Sequence, residues 1–374
     1  MILAPWGARL GGAEHRLLTI LQALDRMRFH VQVVFLEDGP MVGEVARAGI
    51  PTWVAPAGRL RDVRAFGRTV RGLRRHVQRE RTDVLFSWGS KPQLYGGLAS
   101  LRSEGLVNTW WMLEIPTRSW LPFLATALPA REIACSSRYV AREQRRLLRP
   151  RRPCCVIYPG VTAPRTVTAH ELTELRRSLA IPPNRTVIGC VGRMQPWKNH
   201  HLVAQAVGRL IDAGRDVHLV VAGATAHGRS PGYEEALHRS VREAGLTDRV
   251  SFVGQQPDVD LFFALFDVFV LGSADEPFGL VVLEAMASGV PTIAVDCAGP
   301  SEILEHSRTG LLVKEATVDN FLAAITQLVD EPDHRALLAD AALAEYRYRF
   351  TVERMVGEFE GQLTRLATRS EVGT

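Results

Sequence analysis

The stretch Ser273-Ala-Asp-Glu-Pro-Phe-Gly-Leu-Val-Val-Leu-Glu-Ala-Met-Ala-Ser-Gly-Val-Pro291 decides the fold class of this chain. The apolar, β-branched residues 268–271 just before it predict a short buried strand, and the residues from Leu280 onward have the composition of a helix. Gly289 suits the carboxyl end of that helix, with a proline just beyond it. A strand that passes through a short loop into a helix is the repeating unit of a parallel sheet with crossover helices.

The same alternation of strands and helices runs through the whole chain, in two halves. It predicts an α/β fold with two Rossmann-like, doubly wound domains that face a cleft. Ligands of such sheets bind outside the carboxyl ends of the strands, so we expect a binding site in the loops after the strands of the second half. The predicted strands are residues 31–36, 84–87, 131–135 and 155–158 in the first half and residues 187–191, 218–222, 250–252, 268–271 and 292–295 in the second.

Length and composition agree with two soluble domains. The 374 residues exceed what one core usually serves, and 46% hydrophobic with 23% charged residues is ordinary for a globular protein. The five cysteines have no metal-binding spacing and fit a reducing cytoplasm. The amino terminus has no secretory pattern, and the apolar residues 120–130 are interrupted by prolines and shorter than the ~20 residues of a membrane span. We therefore expect a cytoplasmic protein without a transmembrane helix.

Charge is divided unevenly between the two halves. Residues 1–160 contain 25 lysines and arginines against 12 acidic residues, a net +13, whereas the remainder contains 20 against 28, a net −8. Arginines concentrate in residues 61–81 and 138–152. They could meet an anionic membrane surface at the inner face of the plasma membrane, an anionic acceptor or nucleic acid, or they could be solvated helix faces. We expect no nucleic acid as a partner, because nucleic-acid binding would not explain the carboxylates in residues 273–291.

The decisive stretch has the chemistry of a site for phosphates and sugars. Gly279 lets the backbone approach a ligand, and the free amides from Leu280 onward present donors and the positive end of the helix dipole to a diphosphate. Glu276 lies on the loop and Glu284 in the early turns of the helix, so the two carboxylates have different tasks. One can reach a group beyond the phosphates, and the other can accept hydrogen bonds from a ribose diol.

Two further loops contain glycines next to charged residues. In Gly192-Arg-Met-Gln-Pro-Trp-Lys198, which follows a predicted strand, Arg193 and Lys198 can clamp a diphosphate and stabilise the charge on a departing nucleotide. Gly11 and Gly12 follow a short first strand and precede a helix, so their amides could line a site in the first half. The alternatives are two solvated cations and a plain connecting turn.

These motifs resemble those of retaining glycosyltransferases of the GT-B fold, above all glycosyltransferase family four, over nearly the whole chain. The carboxylates match the Glu-x7-Glu motif of that family. The resemblance implies that Glu276 contacts hydroxyls of the donor sugar and that Glu284 holds the ribose. It also implies that Phe278, Gly279 and Leu280 bind the diphosphate through the backbone.

The same resemblance extends to the glycine-containing loops. It assigns Arg193 and Lys198, with Gly192 beside them, to the donor phosphates, and Gly11 and Gly12 to the donor phosphates and the acceptor. Glu276, Arg193 and Lys198 are therefore the predicted catalytic residues.

The activity that the resemblance implies is metal-independent, retaining transfer of a sugar from a UDP- or GDP-sugar to a glycan, lipid-linked or small-molecule acceptor, with no required cofactor. Residues 1–164 would bind the acceptor and residues 165–348 the donor. Residues 349–374 would form a helix and tail that cross back to the first domain. The alternatives are a sugar-nucleotide epimerase or donor hydrolase of the same fold, and a non-catalytic subunit that binds nucleotide-sugars.

The chain departs from the family pattern in its first half. Where the family often has His-Glu-Ile-Pro, this chain has Leu113-Glu-Ile-Pro116, and a leucine cannot contact a sugar hydroxyl, so we predict no catalytic base. Trp110 and Trp111 could belong to the core or stack on an acceptor. Asp258-Val-Asp260 has the spacing of a metal motif from another glycosyltransferase fold. It precedes an apolar helical run, so we interpret it as a helix N-cap and predict no metal site.

Overall fold

The computed structural model of the chain describes residues 1–4, 12–58, 60–101, 103–225 and 232–371. They form two compact units: residues 1–160 together with a terminal helix (Val352–Glu371), and residues 161–351. Each unit is built on one parallel sheet with flanking helices. The structure thus confirms the predicted pair of Rossmann-like domains.

A seven-stranded sheet is the centre of the first unit. Its strands are β1 (Ile2–Ala4), β2 (Val33–Phe35), β3 (Thr52–Val54), β4 (Val84–Trp88), β5 (Val107–Met112), β6 (Ile133–Cys135) and β7 (Cys154–Val156). They lie in the order β3-β2-β1-β4-β5-β6-β7, and every pair is parallel. The strand order reverses between β1 and β4, which makes that pair the topological switch point.

Helices cover both faces of this sheet. On one face Leu73, Tyr95 and Trp110 belong to a common apolar core, and on the other Ile20 packs with the aromatic side chains of the sheet. The terminal helix packs against the second face, as predicted, with the ring centroid of Phe359 5.0 Å from that of Phe86. The helices are α1 (Gly12–Ala23), α2 (Pro40–Arg47), α3 (Val63–Arg79), α4 (Ser90–Ser100), α5 (Trp120–Ala127) and α6 (Arg138–Glu143), which continues into a π-helical turn (Gln144–Leu148).

The second unit repeats this plan around six strands. Its strands are β8 (Thr186–Val191), β9 (Val217–Ala222), β10 (Val250–Gly254), β11 (Val268–Leu271), β12 (Thr292–Val295) and β13 (Leu311–Val313). The parallel order is β10-β9-β8-β11-β12-β13, with the switch point between β8 and β11. The helices are α7 (Ala169–Ser178), α8 (His200–Asp212), α9 (Tyr233–Glu243), α10 (Val259–Phe263), α11 (Leu280–Ala287), α12 (Pro300–Ile303), α13 (Val318–Asp330) and α14 (Pro332–Arg349).

Every strand predicted from an apolar run is present, whereas β3, β5 and β13 were not predicted. In β5 the apolar run is interrupted by Asn108 and Thr109, yet both residues are buried. The Asn108 side-chain NH2 group donates to Gln93 Oε1 and to the carbonyl of Pro129, so both of its donors are paired inside the sheet. The strands β3 and β13 contain three residues each.

Most arginines of α3 lie on its solvent face, whereas Arg74 donates to the carbonyls of Leu98 and Ala99. Arg64, Arg68, Arg71 and Arg75 are exposed, while Leu73 of the same helix is fully buried. Within the described ranges, no helix combines the length and the apolar character needed to cross a membrane.

Candidate functional site

The loops after β8 and β9 touch through their backbones at the carboxyl edge of the second sheet. The Gly192 amide donates to the carbonyl of Ala222 over 2.9 Å. A Cβ atom on Gly223 would lie 1.9 Å from the Gly192 carbonyl oxygen, so a side chain at this position would displace the loop. Gly192 itself has a φ of +147°, a value that favours glycine.

The β8 loop is also fixed to the end of β11, across the switch point. A 3-10 turn (Pro196–Lys198) leads into Asn199, whose φ of 55° is left-handed. The Asn199 side-chain amide donates to the carbonyl of Gly272 over 2.9 Å. A Cβ atom on Gly272 would lie 2.8 Å from the Lys198 carbonyl oxygen, so glycine permits this close approach. The backbone of Lys198 is therefore held in place from two sides.

Lys198 forms a buried ion pair with Glu276. Its Nζ lies 2.5 Å from Glu276 Oε2, and the two side chains are 10% and 14% exposed. The same Nζ lies 4.3 Å from the centroid of the Trp197 ring, within the range of a cation–π contact. A Cβ atom on Gly192 would be 4.0 Å from Nζ, so the cation lies directly beside the glycine turn.

The start of α11 lies next to the same pair. Gly279 precedes the helix with a φ of +106° and has no side chain to cap the first amides. The ideal Cβ position on Gly279 is 3.5 Å from Glu276 Cγ, which puts the helix start in contact with the carboxylate residue. The Gly299 amide donates to the Glu276 carbonyl over 3.0 Å, and a Cβ on Gly299 would lie 2.2 Å from the Cα of buried Phe278.

Glu284 lies in a separate cavity of about 240 Å³. The polar side chains that line this cavity are those of Thr162, Asp258, Asp260 and Glu284. Burial, and then the negative charge of Asp260, raise the pKa of Glu284 to about 7. Among the described residues its carboxyl group has no hydrogen-bond or ion-pair partner, so it is open to a ligand that donates hydrogen bonds.

The structure brings some of the predicted residues together and separates others. Gly192, Lys198, Glu276 and Gly279 form one cluster, with Phe278 buried beneath it and Leu280 as the first residue of α11. Arg193 is exposed and has no ion pair with any described residue. In the first unit, Gly12 begins α1, while Gly11 lies outside the described residues. The ligand roles of all these residues stay predictions.

Sequence reasoning missed the residues that hold the cluster in position. Asn199, Gly223 and Gly272 support it through close backbone contacts, and the charge of Asp260 adds to the effect of burial on the carboxyl group of Glu284. Glycines directly after strands, as at positions 223 and 272, were the available signal. At position 199 the signal was the asparagine itself, because asparagine adopts a left-handed backbone more readily than most other non-glycine residues.

The open interpretations of the first half are partly decided by burial. Trp110 and Trp111 are both 0% exposed, so they belong to the core and do not present a stacking surface. Leu113 is half-buried and packs on the apolar cluster of the terminal helix, whereas Glu114 is exposed.

The Asp258-Val-Asp260 motif is a helix start, as predicted. Asp258 is the N-cap of α10 and accepts a hydrogen bond from the Leu261 amide over 3.4 Å. Its other carboxylate oxygen forms an ion pair with Arg165 at 2.5 Å. In the part of the chain that the structure describes, no group of three or more His, Cys, Asp or Glu side chains could hold a metal ion.

Two family models match the chain, one for each unit. Residues 10–165 match Glycosyltransferase Family 4, and residues 172–344 match Glycosyl transferases group 1. Among curated relatives, the lipopolysaccharide core biosynthesis mannosyltransferase LpsB of Rhizobium meliloti is 30% identical over 54% of this chain and 58% of its own length. A D-inositol 3-phosphate glycosyltransferase of Corynebacterium urealyticum is 31% identical over 54% and 49%. The chain spans about half the length of these curated relatives.

Solved structures resemble the chain over almost its full length. Anabaena HepE in complex with UDP has a TM-score of 0.86 at 23% identity, over 97% of this chain and 99% of its own. A glycosyltransferase of Rickettsia africae has a TM-score of 0.85 at 16% identity, over 98% of both chains. At these identities the likeness establishes the GT-B fold. With that fold and the two family matches, the chain belongs to glycosyltransferase family 4.

Proposed function

We propose that the chain is a retaining glycosyltransferase that moves a sugar from a UDP- or GDP-sugar to a glycan, lipid-linked or small-molecule acceptor. The observation that carries this proposal is the buried pair of Lys198 and Glu276 beside the uncapped start of α11. The relatives named as mannosyl- and glycosyltransferases support the reaction class, and the UDP complex of HepE supports a nucleotide donor.

Lys198 and Glu276 can serve two parts of one donor molecule. When a diphosphate binds, the Lys198 ammonium can turn to a phosphate oxygen, and the exposed Arg193 can approach from the solvent side. The Glu276 carboxylate, released from its ion pair, can accept hydrogen bonds from sugar hydroxyls. This exchange of partners keeps each buried charge compensated, whereas an uncompensated buried ion would be strongly destabilising.

The same groups can stabilise the reaction itself. The bond from the anomeric carbon to the diphosphate oxygen breaks, and the acceptor hydroxyl oxygen bonds to that carbon on the same face of the sugar. The acceptor proton passes to the leaving phosphate, so the anomeric configuration is retained and no protein base is needed. Lys198, Arg193 and the amides at the start of α11 would stabilise the charge on the diphosphate, a task that otherwise falls to a divalent metal.

The cavity of Glu284 suits the ribose of the nucleotide. An ionised carboxylate accepts hydrogen bonds from both hydroxyls of a vicinal diol. Because burial holds the pKa of Glu284 at about 7, the diol would favour the ionised form and lower that pKa.

In this proposal, residues 165–348 bind the donor, residues 1–164 bind the acceptor, and residues 349–374 complete the amino-terminal unit.

We also propose that the first unit binds an anionic membrane surface. Trp120, Phe123 and Leu124 are 59%, 58% and 46% exposed, and their spacing places them on one face of α5. The adjoining π-helical turn carries the exposed Arg145 and Arg146. Aromatic side chains bordered by arginines are typical of a helix that lies at an anionic bilayer surface.

Incubation with labelled nucleotide-sugars tests the function. A set of UDP- and GDP-sugars is first ranked by thermal stabilisation, because a ligand at 100 times its dissociation constant adds about 2.7 kcal/mol. The best donor is then incubated with and without a panel of acceptors. We expect label in an acceptor product with the donor's anomeric configuration, in the presence of EDTA. Free sugar alone would indicate a hydrolase, an altered sugar-nucleotide an epimerase, and binding without product a non-catalytic subunit.

A further inference from the structure

Three Asp, Glu, Lys or Arg residues are at most 9% exposed among the residues that the structure describes. Glu143 forms an ion pair with Arg146 at 2.6 Å, and Lys198 forms one with Glu276. The third is Arg16 on α1, which is 8% exposed and has no ion pair with any described residue. Arg16 is thus a buried charge of the first unit with no direct ion pair, and burial lowers its pKa to about 10 although the negative charge of Glu14 opposes that shift.

Two nitrogen atoms of the Arg16 guanidinium group lack a hydrogen-bond acceptor. Its Nε and Nη1 atoms are buried, and neither has a hydrogen-bond partner. The guanidinium carbon lies 5.4 Å from the centroid of the Trp111 ring. The indole Nε1 of Trp111 is itself buried and has no partner. Buried polar groups in folded proteins are nearly always satisfied, so a set of unpaired donors indicates a missing acceptor.

The position of Arg16 in the fold is one where α/β domains bind ligands. Helix α1 follows β1, and Trp88, the last residue of β4, donates its indole N–H to the Ala13 carbonyl over 3.1 Å. Arg16 therefore lies at the carboxyl edge of the sheet, next to the switch point between β1 and β4. The same edge holds the start of α4, an eleven-residue helix that begins after Gly89 without a side-chain cap.

We propose that Arg16 binds an anionic group, a phosphate or a carboxylate, of the acceptor substrate. A guanidinium group presents planar, paired donors that match either anion. The first unit is the electropositive part of the chain, with a net +13 over residues 1–160, so it attracts anions before contact. This inference rests on the proposed function for the identification of the anion as part of an acceptor.

The alternative is that Arg16 has a purely structural role through its contact with Trp111. The two roles predict opposite responses to Arg16→Met. Replacing an unpaired buried charge with an apolar side chain of similar length is neutral or stabilising, whereas losing a structural contact is destabilising. Without ligand, we therefore expect Arg16→Met to unfold at the same temperature as the wild type or higher.

Thermal unfolding in inorganic phosphate and in acetate, at constant ionic strength, tests the site. Arg47→Met is the matched control, because Arg47 is an exposed arginine of the same unit. We expect at least one of the two anions to raise the unfolding temperature of the wild type and of Arg47→Met. In Arg16→Met the apparent dissociation constant for that anion should be at least about tenfold weaker. The stronger anion of the two identifies the acceptor group.

Several outcomes would overturn the proposal: equal anion responses in Arg16→Met and Arg47→Met, no response of the wild type to either anion, or a lower unfolding temperature of Arg16→Met without ligand. Arg16→Lys is a second, independent variant, because it keeps the charge and loses the paired geometry. Its anion affinity should then be reduced, and an unchanged affinity would contradict the assignment.

Calorimetry with UDP and with GDP separates the acceptor from the donor. Arg16→Met should bind whichever nucleotide the wild type binds with unchanged affinity. A tenfold loss would mean that Arg16 contacts the donor diphosphate, and the assignment to the acceptor would be wrong. If the wild type binds neither nucleotide, the proposed function fails, while the phosphate and acetate results still report on the anion site.

Discussion

Lys198 and Glu276, 78 residues apart in sequence, form a 2.5 Å ion pair in which both side chains are almost completely removed from water. The pair joins the loop after β8 to the loop after β11, across the switch point of the second sheet. The two charges that we assign to the phosphates and the sugar of one donor therefore neutralise each other when no donor is bound.

Breaking this ion pair from one side should destabilise the protein. Lys198→Met leaves the Glu276 carboxylate buried and unpaired, so we expect the free energy of unfolding to fall by about 3 kcal/mol. Adding Glu276→Leu should recover part of that loss, with a coupling energy of at least about 1 kcal/mol in a double-mutant cycle measured by urea unfolding.

The exposed pair of Arg209 and Asp319 is a matched control, because its atoms are also 2.5 Å apart while the side chains are 55% and 83% exposed. Arg209→Met should change stability by less than about 1 kcal/mol. Equal effects at the two sites would contradict the importance of burial for the Lys198 pair.

The half-buried carboxyl group of Glu284 should make stability depend on pH. Its pKa is about 7 in the folded protein and near 4.5 when unfolded, so between these values the folded state binds more protons. The free energy of unfolding should therefore fall as the pH rises from 4.5 to 7, by up to about 3 kcal/mol. In Glu284→Gln this part of the pH dependence should be absent, as measured by urea unfolding at several pH values.

The ionisation of Glu284 should also make the affinity for nucleotide depend on pH. The affinity of the wild type should rise as Glu284 ionises through pH 7, beyond any rise seen in Glu284→Gln. Calorimetric titration of both proteins between pH 6 and 8 measures the difference. Parallel affinity curves for the two proteins would exclude Glu284 from the nucleotide site.

Gly299 should tolerate no side chain, although its φ of −64° is ordinary for any residue. A Cβ atom would lie 2.2 Å from the Phe278 backbone, so Gly299→Ala must push back the loop that carries Glu276. We expect donor affinity to fall at least about tenfold, because a shift of the order of 1 Å misplaces binding groups. Gly67→Ala, at an open position inside α3, should instead stabilise the protein by up to about 1 kcal/mol and leave donor affinity unchanged.

The exposed apolar face of α5 should bind anionic membranes. Trp120→Ser with Phe123→Ser should reduce sedimentation with vesicles that contain phosphatidylglycerol, relative to the wild type. Leu337→Ser, which removes a 68% exposed leucine from α14 of the second unit, should have no effect. Binding of the wild type to neutral vesicles equal to its binding to anionic ones would contradict the role of the neighbouring arginines.

The architecture could be predicted from the sequence because strands and helices produce local patterns of apolar residues, and turn residues mark their ends. The strand before Ser273, the helix from Leu280 and the N-cap at Asp258 all follow from neighbours in sequence. Strand β5 was not predicted because the groups that accept hydrogen bonds from the Asn108 side chain lie on α4 and at Pro129, away from Asn108 in sequence.

The residue types of the candidate site could be predicted from the sequence, but the ion pair between two of these residues could not. Lys198 and Glu276 could each be assigned to a donor, yet nothing in the sequence showed that they bind each other. That contact depends on Asn199 and Gly272, which join two loops through long-range backbone packing. Likewise, the unpaired burial of Arg16 follows from the packing of α1 on β5 and has no local signature.

Steady-state transfer kinetics of Lys198→Ala, with Arg209→Ala as the control, test the central claim most directly. If Lys198 stabilises the charge on the departing diphosphate, kcat should fall by at least about a hundredfold, since one preorganised donor in such a site contributes about 10²–10³. Arg209→Ala should keep the wild-type rate. A Lys198→Ala protein that is folded and transfers sugar at the wild-type rate would contradict the assignment of the donor site.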